Sequence, residues 1–410
     1  MNRHLSAVAY GLLAIVTYAG GCRADTITDW DTKATAVASS AALGEREVAI
    51  VDLAMFDAVN SIARRYRPYL EHLPTTEPTS ADAAAASAAA TALALLHPQA
   101  ANDFKTALAE YLSRLSASPT AIEAGTRLGE TVAHKIVERR ATDGATDVDP
   151  YRPKTRPGQY VPTVTMVCST WPTMPPFALA SPSQFRPGPP PALKSREWAE
   201  DYNEIKELGG KTSVKRTAQQ TETARFWLMT GPQAYHPLAR QLILERHLDL
   251  IDSARFMALF AVTLTDAYIA VFDAKYHYEF WRPVTAIRNA DLNDNPATVP
   301  DATWEPLDAT PMHPEYPCAH CILSGAARVV LESLAAGQPM PELALTSPTA
   351  PGVTHRWSNL DDFTTEVANA RIWSGFHYRF STRVGTALGR QVAQYVVNNT
   401  MEPVPKTAQR

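Results

Sequence analysis

Apolar residues recur every three to four positions through most of the chain, the period of a helix with one buried face. The run from Ala49 to Asn60 shows it, as does Ala121 to Val137, and residues 81–95 are so rich in alanine that propensity alone predicts a helix. The pattern returns after Ser195. Trp198 to Leu208 reads as a helix stopped by Gly209-Gly210, and Thr217 with Gln220 three residues on has capping-box spacing. Longer helices are predicted from about Ser253 to Ala274, from Cys318 to Ala336 (ended by Gly337 and Pro339) and from Ser381 to Val397. Strict polar–apolar alternation is essentially absent, so no strands are predicted. One interruption stands out: residues 150–191 carry 12 of the 32 prolines, too many for a helix or a central strand. Tyr160, Trp171, Phe177 and Phe185 punctuate it and call for burial, so it reads as a rigid strap over a surface. The predicted fold class is all-α: two packed helical bundles, residues 25–149 and 195–400, joined by the proline-rich segment 150–194 and packed as one domain.

The first 24 residues stand apart. A basic start (Arg3) precedes a mostly apolar stretch from Leu5 to Gly21, and Cys22-Arg-Ala24 offers small residues at the −3 and −1 positions of a cut after Ala24. The expectation is a signal peptide over residues 1–24 and a secreted or periplasmic product. The apolar run is shorter than the ~20 residues a spanning helix needs, so no stable membrane span is expected. Cleavage would remove Arg3 and Arg23 and no acid, taking the formal charge from −4 to −6. With no basic stripe, nucleic acid is excluded as a partner class. The three cysteines that remain, Cys168, Cys318 and Cys321, do not make a disulfide scaffold.

Chemistry gathers in three segments of the C-terminal half. In Lys275-Tyr-His-Tyr-Glu-Phe-Trp-Arg282-Pro283 two cations lie seven residues apart, on one helix face if the helix continues between them. They suit either a solvated edge or two arms of an anion clamp. In His313-Pro-Glu-Tyr-Pro-Cys318-Ala319-His320-Cys321 a turn leads straight into a predicted helix, whose first N–H groups face outward as an oxyanion site. The third segment, Arg371 to His377, again precedes a helix.

Lys-(six residues)-Arg-Pro, then Pro-x-x-His, then Arg-(five residues)-His, in that order, resembles the signature shared by vanadium-dependent haloperoxidases and type-2 phosphatidic acid phosphatases. The wording Glu279-Phe-Trp-Arg-Pro283 and Gly375-Phe-His-Tyr-Arg-Phe380 resembles the haloperoxidase branch. So do Asp29-Trp30, Phe185 to Pro191 and Arg216 to Trp227, so that the similarity covers most of residues 25–400. The resemblance implies a secreted enzyme holding vanadate, with Lys275, Arg282, Arg371 and the backbone at Cys318 and Ala319 neutralising its oxygens. His377 would be the axial ligand and His320 the opposite acid–base, with hydrogen peroxide and halide as small-molecule substrates. The alternatives are an acid phosphatase acting on phosphomonoesters through a phosphorylated His377, with no metal, and an oxyanion-binding protein without turnover.

Departures from the family pattern bear on that choice. Pro-Ser-Gly-His is usual where this chain has Pro317-Cys318-Ala319-His320, and a thiol is the weaker donor. Near Lys and Arg at a helix start it should also be reactive toward peroxide. Either Cys318 pairs with Cys321 or the cofactor does not carry peroxide. The family's aspartate four residues past the axial histidine, which orients it, is Ser381 here. His247, His277, His313 and His355 read as structural or surface residues, Trp281 as a core aromatic, and Gly385 and Gly389 as sites of close helix packing.

Overall fold

The computed structural model describes residues 25–39, 41–75, 77–148, 151–162, 165–335 and 337–405. The predicted signal segment lies outside the described residues. Five helices make the N-terminal half: α1 (Thr26–Val37), α2 (Ala41–Ala63), α3 (Ala81–Leu96), α4 (Ala101–Leu112) and α5 (Pro119–Arg140). Eight follow the strap: α6 (Arg196–Leu208), α7 (Ala218–Phe226), α8 (His236–Arg246), α9 (Leu250–Tyr278), α10 (Pro283–Arg288), α11 (Ala319–Ala335), α12 (Leu360–Trp373) and α13 (Arg379–Asn399). The fold is all-α as predicted. The capping box at Thr217 forms in full, Gln220 N–H donating to the Thr217 hydroxyl and the Gln220 carbonyl accepting from Thr217 N–H.

Two short strands are the exception to the strand-free expectation. β1 (Leu343–Ser347) and β2 (Ala350–Trp357) pair as an antiparallel hairpin. Alternation over a few residues, buried at Leu343, Leu345 and Ser347, falls below what a helix-length window detects.

α9 is the central post. It is long and apolar enough to cross a bilayer, yet its most apolar stretch is wholly buried inside the protein. The strap fastens to its polar positions. Asp266 accepts the backbone N–H groups of Phe177, Ala178 and Leu179 at 2.7, 2.7 and 2.9 Å, and Asp273 takes both arms of Arg186 at 2.6 Å. Trp171 packs edge-on against Tyr268 and Phe272. An unstructured-looking segment is thus held because its proline-depleted backbone donors find a buried carboxylate.

α11 and α13 approach so closely that glycine is required. A Cβ at Gly389 would lie 2.0 Å from the Ile322 carbonyl oxygen, one at Gly385 2.6 Å from that of Cys318, and one at Gly325 2.4 Å from that of Thr386. This contact fixes the start of α11 against the start of α13, where two of the predicted motifs meet.

Candidate functional site

Lys275 sits in the last turn of α9, fully buried, its ammonium donating to the carbonyls of Pro314 (2.9 Å) and Glu315 (2.8 Å). The helix does not continue to Arg282. Glu279 adopts a left-handed conformation (φ 47°), and Pro283, the first residue of α10, holds Arg282 extended (φ −76°, ψ 154°). The two cations therefore meet across a chain reversal rather than along one helix face. Arg282 donates from Nε to the His313 carbonyl (2.9 Å), from one terminal nitrogen to the Phe376 carbonyl (3.0 Å) and His377 Nε2 (3.3 Å), and from the other to His313 Nδ1 (3.0 Å).

Arg371 ends α12. The chain then turns through Gly375 (φ 78°), and the N–H groups of Phe376 and His377 fold back onto the Arg371 carbonyl at 3.1 and 3.3 Å. That turn brings His377 beside the arginine of its own helix. The Arg371 guanidinium donates to the Trp227 carbonyl (2.6 Å) and lies 4.9 Å from the Phe376 ring centre, while its buried Nε has no partner.

A second hydrophobic cluster explains the aim of these side chains. Trp281, Tyr316 and Tyr378 join Trp198, Phe280 and Phe380 in one aromatic core. Trp198 packs 4.9 Å from Tyr378 and stacks on Trp281 at 5.9 Å. Each is the chain neighbour of a site residue: Arg282, Glu315 and His377. Consecutive side chains of extended backbone point to opposite sides, so burying the aromatic turns the polar neighbour inward to the pocket.

Glu315 was not singled out by the sequence reading, yet it organises the site. Its carboxylate accepts from His377 Nδ1 at 2.8 Å and from the Tyr378 N–H at 3.2 Å. It supplies the orienting carboxylate that Ser381, in the place of the family's aspartate, cannot. The signal was available as an acid between two prolines just ahead of α11. His313, expected to be structural or surface, is a further addition, since it shares Arg282 and lines the cavity.

The protonation pattern follows from partner chemistry. Arginine only donates, so His377 Nε2 presents a lone pair and Nδ1 carries the proton given to Glu315. Burial, reinforced by Arg282, Lys275 and Arg371, holds the His377 imidazole far below its ordinary pKa, so it is neutral. His320 on α11 is likewise held neutral by burial and Arg371, and its Nε2 faces the Met229 carbonyl at 3.1 Å, which leaves Nδ1 as its proton-accepting atom. Burial also depresses Lys275 well below its usual value and Arg282 to about 10, and lifts Glu315 to about 8 against the pull of Lys275 and Arg282.

Lys275, Arg282 and Arg371 are 0, 1 and 2% exposed, and among the described residues none forms an ion pair with a carboxylate. Three buried cations face a single buried acid, Glu315. Burying unpaired charge is strongly unfavourable, and an oxyanion balances it. The first turn of α11, beginning at Ala319, adds backbone N–H groups that have no acceptor within the helix.

Cys318 lies beneath this turn, fully buried, with its sulfur accepting the Cys321 N–H at 3.3 Å. It acts as the helix cap, and both thiols are free in the structure. Against burial, which opposes it, the Cys321 thiol and Arg371 draw the Cys318 pKa down. A cavity of about 920 Å³ opens onto Ala319, His320, Arg371 and His377 at one end and is walled by aromatic side chains such as Trp171 and Phe272. The site thus gathers Lys275, Arg282, Arg371, His320 and His377 from three segments of the chain.

Residues 255–405 match the family model described as the VCPO second helical-bundle domain. A vanadium chloroperoxidase from Curvularia inaequalis is 29% identical over 171 residues, which is 33% of this chain and 27% of that protein. The match thus spans about a quarter of the relative's length. A bacterial vanadium-dependent iodoperoxidase structure superposes with a TM-score of 0.78 at 22% identity, covering 94% of this chain and 99% of its own. A holo-type bacterial vanadium-dependent chloroperoxidase gives a TM-score of 0.71 at 17% identity, covering 88% and 92%. The two superpositions show the same fold over both helical halves and the strap, while the family match lies in residues 255–405, which hold the three motifs.

Proposed function

We propose that this chain, a relative of the vanadium haloperoxidases through residues 255–405, is a vanadate-dependent haloperoxidase-like enzyme that oxidises halide with hydrogen peroxide. The observation that carries the reading is the set of three fully buried cations without carboxylate partners, converging on a neutral histidine. The residues fit vanadate by their donor chemistry. Arg371 has a buried, unpartnered Nε, Lys275 and Arg282 retain N–H groups beyond those already bonded, and His377 presents an Nε2 lone pair that only the 3.3 Å contact from Arg282 now occupies.

Lys275, Arg282, Arg371 and the N–H at Ala319 would hold the oxygens of a bound vanadate, and His377 Nε2 would be its protein ligand. When bound, vanadate supplies a Lewis-acid centre at which peroxide is activated toward halide. The protein's part is charge and placement. Glu315 fixes the tautomer and direction of His377, so that its lone pair faces the pocket without a rotamer search. His320, anchored through Nε2, takes or returns a proton at Nδ1. The aromatic wall excludes water from the charged end, which strengthens each interaction there.

The thiol that argued against peroxide chemistry is shielded. Ala319 and His320 form the cavity wall at this turn, and Cys318 lies behind them with no exposed surface. Purified protein assayed with vanadate, peroxide and bromide, beside a chromogenic phosphate ester, tests the reading. Halogenation that disappears in His377→Ala is the expected result. Ester hydrolysis without vanadium would replace it with the phosphatase reading, and tight phosphate binding with neither activity would leave an oxyanion-binding protein.

A further inference from the structure

A second polar cluster joins α1 and α2 to the start of α8. Asp31 of α1, Glu45 and Asp52 of α2 and His236 at the start of α8 are each 0% exposed. His236 Nδ1 faces Asp31 Oδ1 at 2.7 Å, and Nε2 faces Glu45 Oε1 at 2.8 Å. Arg240, one turn further along α8, donates to the other oxygen of Asp31. Those contacts satisfy Asp31 and half of Glu45.

They leave Asp52 with nothing. Both of its carboxylate oxygens are buried without a hydrogen-bond partner, and so is Glu45 Oε2. Asp52 is nonetheless aimed into the cluster: one ligand atom each from Asp31, Asp52 and His236 lie within 4.8 Å of one another. A buried carboxyl with both oxygens unpartnered is rare in folded proteins, and it asks for a ligand. A proton on Asp52 answers the charge but not the geometry, because it satisfies one oxygen at most and the hydroxyl it creates still needs an acceptor.

We infer that Asp31, Asp52 and His236 form a binding site for a divalent transition-metal cation of the zinc or manganese class. Two carboxylates and one imidazole are the donor set such ions take, whereas calcium and magnesium prefer oxygen alone. The charges close. Three carboxylates offset by Arg240 and by His236, which Asp31 and Glu45 hold protonated from either side, leave one negative charge, and a divalent ion that displaces the His236 Nδ1 proton brings the cluster to neutrality. Glu45 then has a defined place: accepting from His236 Nε2–H, it fixes the ring so that Nδ1 meets the metal. The Asp31–His236 distance opens slightly as the ion enters between them.

The site staples α1 and α2 to α8. Its reach extends further, because Tyr235, next to His236, hydrogen-bonds the carbonyl of His320 at 3.2 Å. A metal on His236 therefore stiffens the strand of contacts that holds the acid–base histidine. Being fully enclosed, the ion is taken up as the chain folds.

Elemental analysis of the full chain, as purified and after refolding with excess Zn²⁺ or Mn²⁺, tests the inference without reference to activity. One equivalent of metal that survives dialysis, a melting temperature several degrees above that of chelator-refolded protein, and loss of the metal in Asp52→Asn are expected. For the zinc form, X-ray absorption should show nitrogen and oxygen neighbours including one imidazole. Under a tenth of an equivalent in the wild type under every condition would overturn the site. So would sulfur scattering, which would move the ion to Cys318 and Cys321. The wild-type metal content decides even where Asp52→Asn fails to fold.

Discussion

Glu315 and His320 show how single residues set the chemistry. Glu315 would act on the oxyanion only through His377, so Glu315→Gln keeps the shape of the contact and, above about pH 8 where the acid is ionised, removes its charge. Vanadate affinity should fall about 10- to 100-fold, the usual effect of altering the group that orients a metal-binding histidine, as read by equilibrium titration. An unchanged affinity would mean that His377 is positioned by the Phe376 turn alone. His320 makes a pH prediction with a definite sign. Its folded pKa lies well below 6.5, so at acidic pH the unfolded chain binds a proton that the folded chain refuses. His320 therefore leaves stability untouched above about pH 6.5 and subtracts from it as pH falls, by about 1.4 kcal/mol for each unit until its own pKa is reached. His320→Gln, which can still donate to Met229, should gain in melting temperature relative to wild type between pH 7.5 and 5.5. A constant difference across that range would show that His320 titrates alike in the folded and unfolded chain, and a difference of the opposite sign that the fold holds it protonated.

At the scale of elements, the helices were legible because their period is local, and the breaks were less so. The predicted starts near Trp198 and Ser381 and the long α9 follow directly from apolar spacing and caps. Whether the helix continues from Lys275 to Arg282 was left open by the sequence, and the chain reverses there. A left-handed glutamate is uncommon, and only the tertiary pairing of Tyr160 N–H with the Glu279 carbonyl at 2.6 Å shows why the chain turns there. The β1–β2 hairpin was missed because five residues of alternation carry little signal. The glycine reading of α13, by contrast, needed only the knowledge that two helices must touch. Gly389→Ala forces a methyl to within 2.0 Å of the Ile322 carbonyl oxygen, so it should destabilise by about 1–3 kcal/mol or more, seen as a lower melting temperature. A neutral effect would mean that α11 and α13 can separate without loss.

Across the whole molecule, the strap and the aromatic cluster turn three distant motifs into one pocket. Lys275, His320 and His377 were readable as candidates because their residue types and order match a known chemistry. Glu315, His313 and the Trp227 carbonyl were not, because contacts across 31 to 144 residues leave no periodic trace. The metal cluster at Asp31, Asp52 and His236 was invisible for the same reason, its members lying on three helices. The most direct test of the central claim, that buried cations and His377 form a single oxyanion pocket, is equilibrium binding of vanadate with phosphate as competitor. The account predicts one vanadate per chain, displaced by phosphate, with affinity lowered at least about 100-fold in Arg371→Gln, the equivalent of about 3 kcal/mol. Absence of saturable binding, or binding indifferent to Arg371, would contradict it.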